Sequence, residues 1–178
     1  MILNKYFKKY KIPIIIFSLI AITFTSPIFL KLEKIGMLDW DLWLFYNEAQ
    51  RKSIFEYNQL PFWNPYYCGG NVLLAHPEVP FFFSPLSLFV LLFGSIYGVK
   101  IAIITHFFLG LIAMYFLGRY MRLSKLASYA MSFLYMLSAP FLLRISVGQF
   151  SYLAMAFYPL VFLFFLKSIK RLKYLFFS

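Results

Sequence analysis

The sequence predicts an all-α integral membrane protein with about four transmembrane helices and a large first outer loop. Three observations carry that expectation. Hydrophobic residues make up 62% of the 178 and charged residues only 13%, whereas a soluble domain is about half apolar and about a quarter charged. The apolar excess collects in four almost uncharged runs, Ile12–Leu30, Ile101–Leu117, Leu126–Leu143 and Phe150–Leu166, each of 17 to 19 residues. About 20 helical residues cross a hydrocarbon core. These runs also lack the alternation of a barrel strand, and in lipid only a helix or a closed barrel satisfies its own backbone.

The charges set the expected orientation. Net charge is +11, yet its distribution argues against nucleic acid as a partner. Lys5, Lys8, Lys9 and Lys11 precede the first run, Arg119, Arg122 and Lys125 separate the second from the third, and Lys167, Lys170, Arg171 and Lys173 follow the fourth. No acid lies among them, while all six acids (Glu33, Asp39, Asp41, Glu48, Glu56 and Glu78) fall within 31–80. Lys and Arg near span ends stay in the cytoplasm, so both termini are expected inside a cell membrane and residues 31–95 outside. The basic excess reads as a topology signal with an affinity for anionic lipid.

Each element follows in order. The first run after its basic leader is also the pattern of a cleaved signal peptide, but it exceeds the usual h-region and no small-x-small site follows near Leu30. In the outer loop, Leu42, Phe45 or Tyr46, and Ala49 recur at helical spacing, and Glu48 stands four residues before Lys52. An amphipathic helix from about Asp41 to Tyr57 is expected, with its aromatic face on the membrane surface. Pro61, Pro65, Gly69, Gly70, Pro77, Pro80 and Pro85 then break any long element. Phe81–Phe93 is apolar but short, holds Pro85 and precedes Gly94-Ser95. Counted as a full crossing it would put Arg119, Arg122 and Lys125 outside, so a short re-entrant or interfacial helix is expected instead. The whole chain, 1–178, reads as one membrane domain.

Several residues carry candidate chemistry. Asp39 and Asp41 stand where the loop enters a helix; they suit a carboxylate base or a divalent-metal site at the membrane surface. An N-cap and a first-turn acid account equally for their position, and local chemistry favours that structural reading. Trp63, Asn64, Gly69 and Gly70 belong to an aromatic cluster around a glycine turn, suited to stacking a sugar or a lipid headgroup, or to an interfacial belt. His76 and Glu78 flank Pro77, which reads more readily as a loop pair than as a dyad. His106 lies mid-span, where a lone His most often bonds a neighbouring helix. Arg144 and Gln149 lie between the third and fourth runs; Arg144 either forks onto a carrier phosphate or snorkels to headgroups. The single cysteine, Cys68, excludes an internal disulfide.

In order and topology these motifs resemble the start of a GT-C-type membrane glycosyltransferase, closest to its YfhO-like branch. The resemblance rests on the basic N-terminus and first span, Leu38-Asp39-Trp40-Asp41, Leu60-Pro61-Phe62-Trp63-Asn64-Pro65, Gly69-Gly70, Phe83-Ser84-Pro85-Leu86, Gly148-Gln149 and Tyr158-Pro159-Leu160. It implies an acidic active-site residue in the first outer loop, Asp39 with Asp41 as its alternative. Trp63, Asn64, Gly69, Gly70, His76, Glu78, Arg144 and Gln149 are the candidate substrate-binding residues. The implied donor is a sugar on a polyprenyl-phosphate carrier, used on the extracytoplasmic face. Gln149 stands where many relatives show His. Such enzymes usually have about nine or more spans, so the chain reads as an N-terminal fragment, with a partner chain to supply the missing spans. The competing expectation is a non-catalytic membrane protein, such as a transporter subunit or assembly partner. The absence of acids inside the four runs disfavours ion-coupled transport.

Overall fold

Long apolar runs with few breakers leave the backbone one solution in lipid, and helix dominates accordingly. The computed structural model describes residues 2–30, 36, 38–74, 84 and 87–169, with side chains from Tyr10 onward. It is 77% helical. Among the described residues, four helical stretches are long and apolar enough to cross a membrane: Tyr10–Leu30, Ser87–Tyr120, Lys125–Ser146 and Phe150–Ser168. The protein is an all-α multi-pass membrane protein, and each expected span lies inside one of these stretches.

Helix α1 covers Ile2–Leu30 and α2 covers Trp40–Phe55. A two-residue antiparallel pair follows, β1 (Trp63–Asn64) with β2 (Asn71–Val72). The helical stretch α3 runs Ser87–Tyr120, α4 Lys125–Met136, α5 Ala139–Ser146, then a 3-10 segment Phe150–Phe157 and α6 Tyr158–Ser168.

Three details differ from, or sharpen, the sequence expectation. Stretch α3 breaks at Gly94, whose φ of 83° and ψ of 168° are not helical; this is the Gly94-Ser95 break the sequence signals. The short piece before it packs hard onto the helix after it. A β-carbon at Gly98 would stand 2.4 Å from the Val90 α-carbon, so only glycine allows the approach. The third span divides between α4 and α5 at Leu137-Ser138 instead of running unbroken. Pro140 explains this, since its ring removes a helical N–H and collides with the carbonyl four residues back. The fourth span opens as a 3-10 turn and becomes α-helical only at Tyr158, where Pro159 occupies the first turn that suits it.

The chain forms two compact units. One comprises 1–26, 104–141 and 154–178, the other 27–103 and 142–153. The core of the first is aromatic. Phe17, fully buried, meets the rings of Tyr115, Tyr129 and Phe133 with centroids 5.4–5.9 Å away. Small residues bring its helices close: a β-carbon at Gly110 would stand 2.2 Å from the Met136 sulfur. Ser128 and Ser132 are wholly buried, and each hydroxyl donates to the carbonyl four residues back at 2.8 Å, so neither leaves an unpaired polar group in lipid. His106 is buried with its ring edge-on to Phe157. The Tyr135 hydroxyl donates to the Met155 carbonyl at 2.7 Å, serving a backbone that the 3-10 geometry leaves short of partners.

The second unit holds α2 and the hairpin. Helix α2 lies where periodicity placed it, but its aromatic face does not rest on lipid. Trp40, Trp43 and Tyr46 are buried inside the unit. Both tryptophans stand edge-on to Phe150, at 4.6 and 5.5 Å, and Tyr46 packs with Leu73. The expected Glu48–Lys52 pair also yields to another. Glu48 pairs with Arg51 at 3.2 Å and accepts from the Ser95 hydroxyl, while the Lys52 ammonium lies over the Tyr66 ring.

Candidate active site

The site begins where α2 begins. Asp39 occupies the N-cap position, and its carbonyl accepts the first helical bond from the Trp43 N–H at 3.0 Å. Its side chain, however, makes no capping hydrogen bond. The carboxylate is turned instead toward the loop after α5, where the Gln149 Nε2 donates to Oδ2 at 3.5 Å. The same Gln149 uses its Oε1 to accept from the Arg144 Nη1 at 2.6 Å. Asp39, Gln149 and Arg144 therefore form one chain of donors and acceptors, with Asp39 and Gln149 half-buried and Arg144 exposed.

Four features hold this chain together. The Asp39 N–H donates to the Val147 carbonyl at 3.0 Å. The Trp40 Nε1 donates to the Ser146 carbonyl at 3.1 Å, satisfying the polar end of a buried indole. Gly148, with φ of +91°, brings its backbone against Trp40 and Asp39, leaving no room for a side chain. The Arg144 guanidinium lies over the Tyr152 ring, 4.8 Å from its centroid, and α5 ends beside it, where a cation meets the negative end of the helix dipole. Leu38, just before Asp39, has a φ of +61°. A bulky residue rarely adopts that region, and such strain gathers at functional sites.

The other predicted residues are placed differently. Asp41 is exposed, and its Oδ1 accepts from the N–H of the adjacent Leu42 at 2.9 Å, a local role in the first turn of α2. Asn64 is fully buried in the hairpin, where its Oδ1 accepts from the Tyr66 N–H at 3.0 Å, so its amide shapes the turn. The flexible backbone of Gly70 lets the Trp63 indole lie against it: a β-carbon there would stand 2.2 Å from the ring. Gly69 takes a φ of +79° in the same turn. No hydrogen bond among the described residues joins Trp63, Asn64, Gly69 or Gly70 to Asp39, Gln149 or Arg144. His76 and Glu78 lie outside the described residues. No three His, Cys, Asp or Glu side chains come together among the described residues. Asp41 spends one carboxylate oxygen on the Leu42 N–H, and among the described residues no third His, Cys, Asp or Glu joins the two aspartates to complete a metal site.

Sequence reasoning did not single out Trp40, Gly148 or Tyr152 as parts of the site. Gly148 left a visible signal, since it directly precedes Gln149 in a short connection. The indole bond of Trp40 to a carbonyl more than a hundred positions away leaves none. Comparison with known proteins finds no matching family model, no similar curated protein and no similar solved structure.

Proposed function

We propose that this chain belongs to a membrane glycosyltransferase of the GT-C type, acting on the extracytoplasmic face of the cell membrane with both termini in the cytoplasm. The observation that carries the reading is the turn of the Asp39 carboxylate away from its helix and toward Gln149 and Arg144. A capping acid would be occupied by α2; this one is available to a substrate. In the proposed reaction Asp39 takes the proton from an acceptor hydroxyl. The acceptor oxygen bonds to the sugar's anomeric carbon as the bond from that carbon to the carrier's phosphate oxygen breaks. The electron pair leaves on polyprenyl phosphate, and the Arg144 guanidinium faces the charge that develops there. Gln149 links the base to the cation and orients both. A 3.5 Å bond is long, which is common for catalytic groups before substrate arrives.

The test uses the chain in lipid vesicles with a radiolabelled polyprenyl-phosphate-linked hexose and a membrane fraction as acceptor. Asp39→Asn should lower sugar transfer by about 10²–10⁴, the usual contribution of a general base. Asp41→Asn, which alters only a first-turn bond, should change it little. Transfer that survives Asp39→Asn would remove the catalytic reading. A wild-type chain that transfers no sugar even when reconstituted with the membrane proteins of its own cells, which would supply the partner spans, would favour the non-catalytic alternative, a subunit or assembly partner of another membrane protein.

A further inference from the structure

The hairpin in the second unit is built inside out. In an antiparallel pair, directly opposed residues share a face, so Trp63 and Val72 project to one side and Asn64 and Asn71 to the other. A hairpin on a soluble protein turns its apolar side inward and its polar side to water. Here Asn64 is completely buried, while Trp63 and Val72 are 52% and 54% exposed. Leu60, Phe62, Tyr66 and Tyr67, in and beside the hairpin, are exposed as well. The run 57–74 contains no Lys, Arg, Asp or Glu at all.

We infer that the Trp63/Val72 face of this hairpin lies in the headgroup region of the bilayer that the chain's own helices cross. Lipid, rather than a protein partner, is favoured by three features. The inverted polarity is that of a strand facing lipid. Trp and Tyr, the residue types exposed here, concentrate where hydrocarbon meets water. Charge is absent from the face and reappears at its rim, where the Lys52 ammonium lies 5.4 Å from the centroid of the Tyr66 ring. A lysine so placed rests its stem on the apolar surface and offers its charge to lipid phosphate. Gly70 completes the surface by letting the indole lie against the turn. The hairpin thereby anchors α2, and with it the segment that starts at Asp39, at a set depth in the membrane. The inference needs only the membrane spans and does not depend on sugar transfer.

Tryptophan fluorescence in vesicles tests it. Wild-type chain and Trp63→Ser are reconstituted in phosphatidylcholine and in phosphatidylcholine brominated along its acyl chains. Trp40 and Trp43 are both buried and supply the background common to the two proteins. Wild type should lose a larger fraction of its emission to the brominated lipid than Trp63→Ser does, and added iodide should quench it little further. Equal fractional losses in the two proteins overturn the inference, whether iodide then quenches Trp63 from water or a protein partner shields it from both. Should Trp63→Ser fail to fold, a nitroxide on the natural Cys68 decides. Relaxation by oxygen over a water-soluble nickel chelate supports the lipid contact, and the reverse order overturns it.

Discussion

Gly148 approaches Trp40 so closely that a β-carbon on it would stand 2.4 Å from the Trp40 backbone nitrogen and 2.7 Å from the Asp39 carbonyl carbon. Its φ of +91° adds a second requirement for glycine. This contact, with the Asp39–Val147 backbone bond, is what brings Gln149 within reach of Asp39.

Gly148→Ala should therefore destabilise the protein by more than about 1 kcal/mol, because alanine cannot take this conformation without strain. Thermal unfolding in detergent measures that loss. Sugar transfer, if Asp39 is the base, should fall with it even at temperatures where the variant stays folded, since the loop must move away from Asp39. An unchanged melting temperature would mean that the loop does not hold this position.

Tyr57 and Tyr66 share a hydrogen bond between their hydroxyls at 2.7 Å. That bond is the main cause that raises the Tyr66 phenol from 10.0 to about 12, with burial and the charges of Tyr57 and Glu56 adding to it. The raised value means that the neutral form is favoured in the folded state. The stabilisation is thus fully present below pH 10 and is lost as pH rises through about 12. Carbon-13 labelling of the tyrosine rings, read by NMR, should show the Tyr66 ring titrating well above the ordinary phenol value of 10.0. Tyr57→Phe should bring it back toward its ordinary value; no movement would exclude the hydroxyl pair as the cause.

The charge asymmetry makes a topological prediction. Glu56 is exposed at the end of α2. With Cys68→Ser removing the natural thiol, Glu56→Cys should react with a membrane-impermeant maleimide in intact cells or protoplasts. A cysteine placed in the Arg119–Lys125 connection should react only after permeabilisation. The opposite pattern would turn the assigned orientation over.

The membrane class and the number of spans were legible because lipid imposes them through length and composition, which a one-dimensional count captures. The break at Gly94 and the start of α2 were legible for a related reason, since glycine and a first-turn acid such as Asp41 act over a few residues. The interiors of the last two spans were less so. Pro140 and Pro159 sit in apolar runs whose average hydropathy hides the interruption. The Glu48–Lys52 pair failed because i,i+4 spacing permits a contact without choosing it. Ser95 and Arg51 offered Glu48 a better set of partners, and Tyr66 took Lys52.

The candidate site divides the same way. Asp39, Arg144 and Gln149 could each be picked out as polar residues at the margins of apolar runs. By itself the sequence determined that the chain enters the membrane, where its spans lie, and that its acids gather in one loop, because burying charge and backbone in hydrocarbon is costly at any position. Only the tertiary structure decided that Asp39 leaves its own helix uncapped and faces Gln149, that Asp41 does not join it, and that the hairpin shows its apolar side outward. Those choices depend on which distant segments a glycine and an indole allow to meet, and contacts across a hundred residues leave no periodicity for a sequence to display.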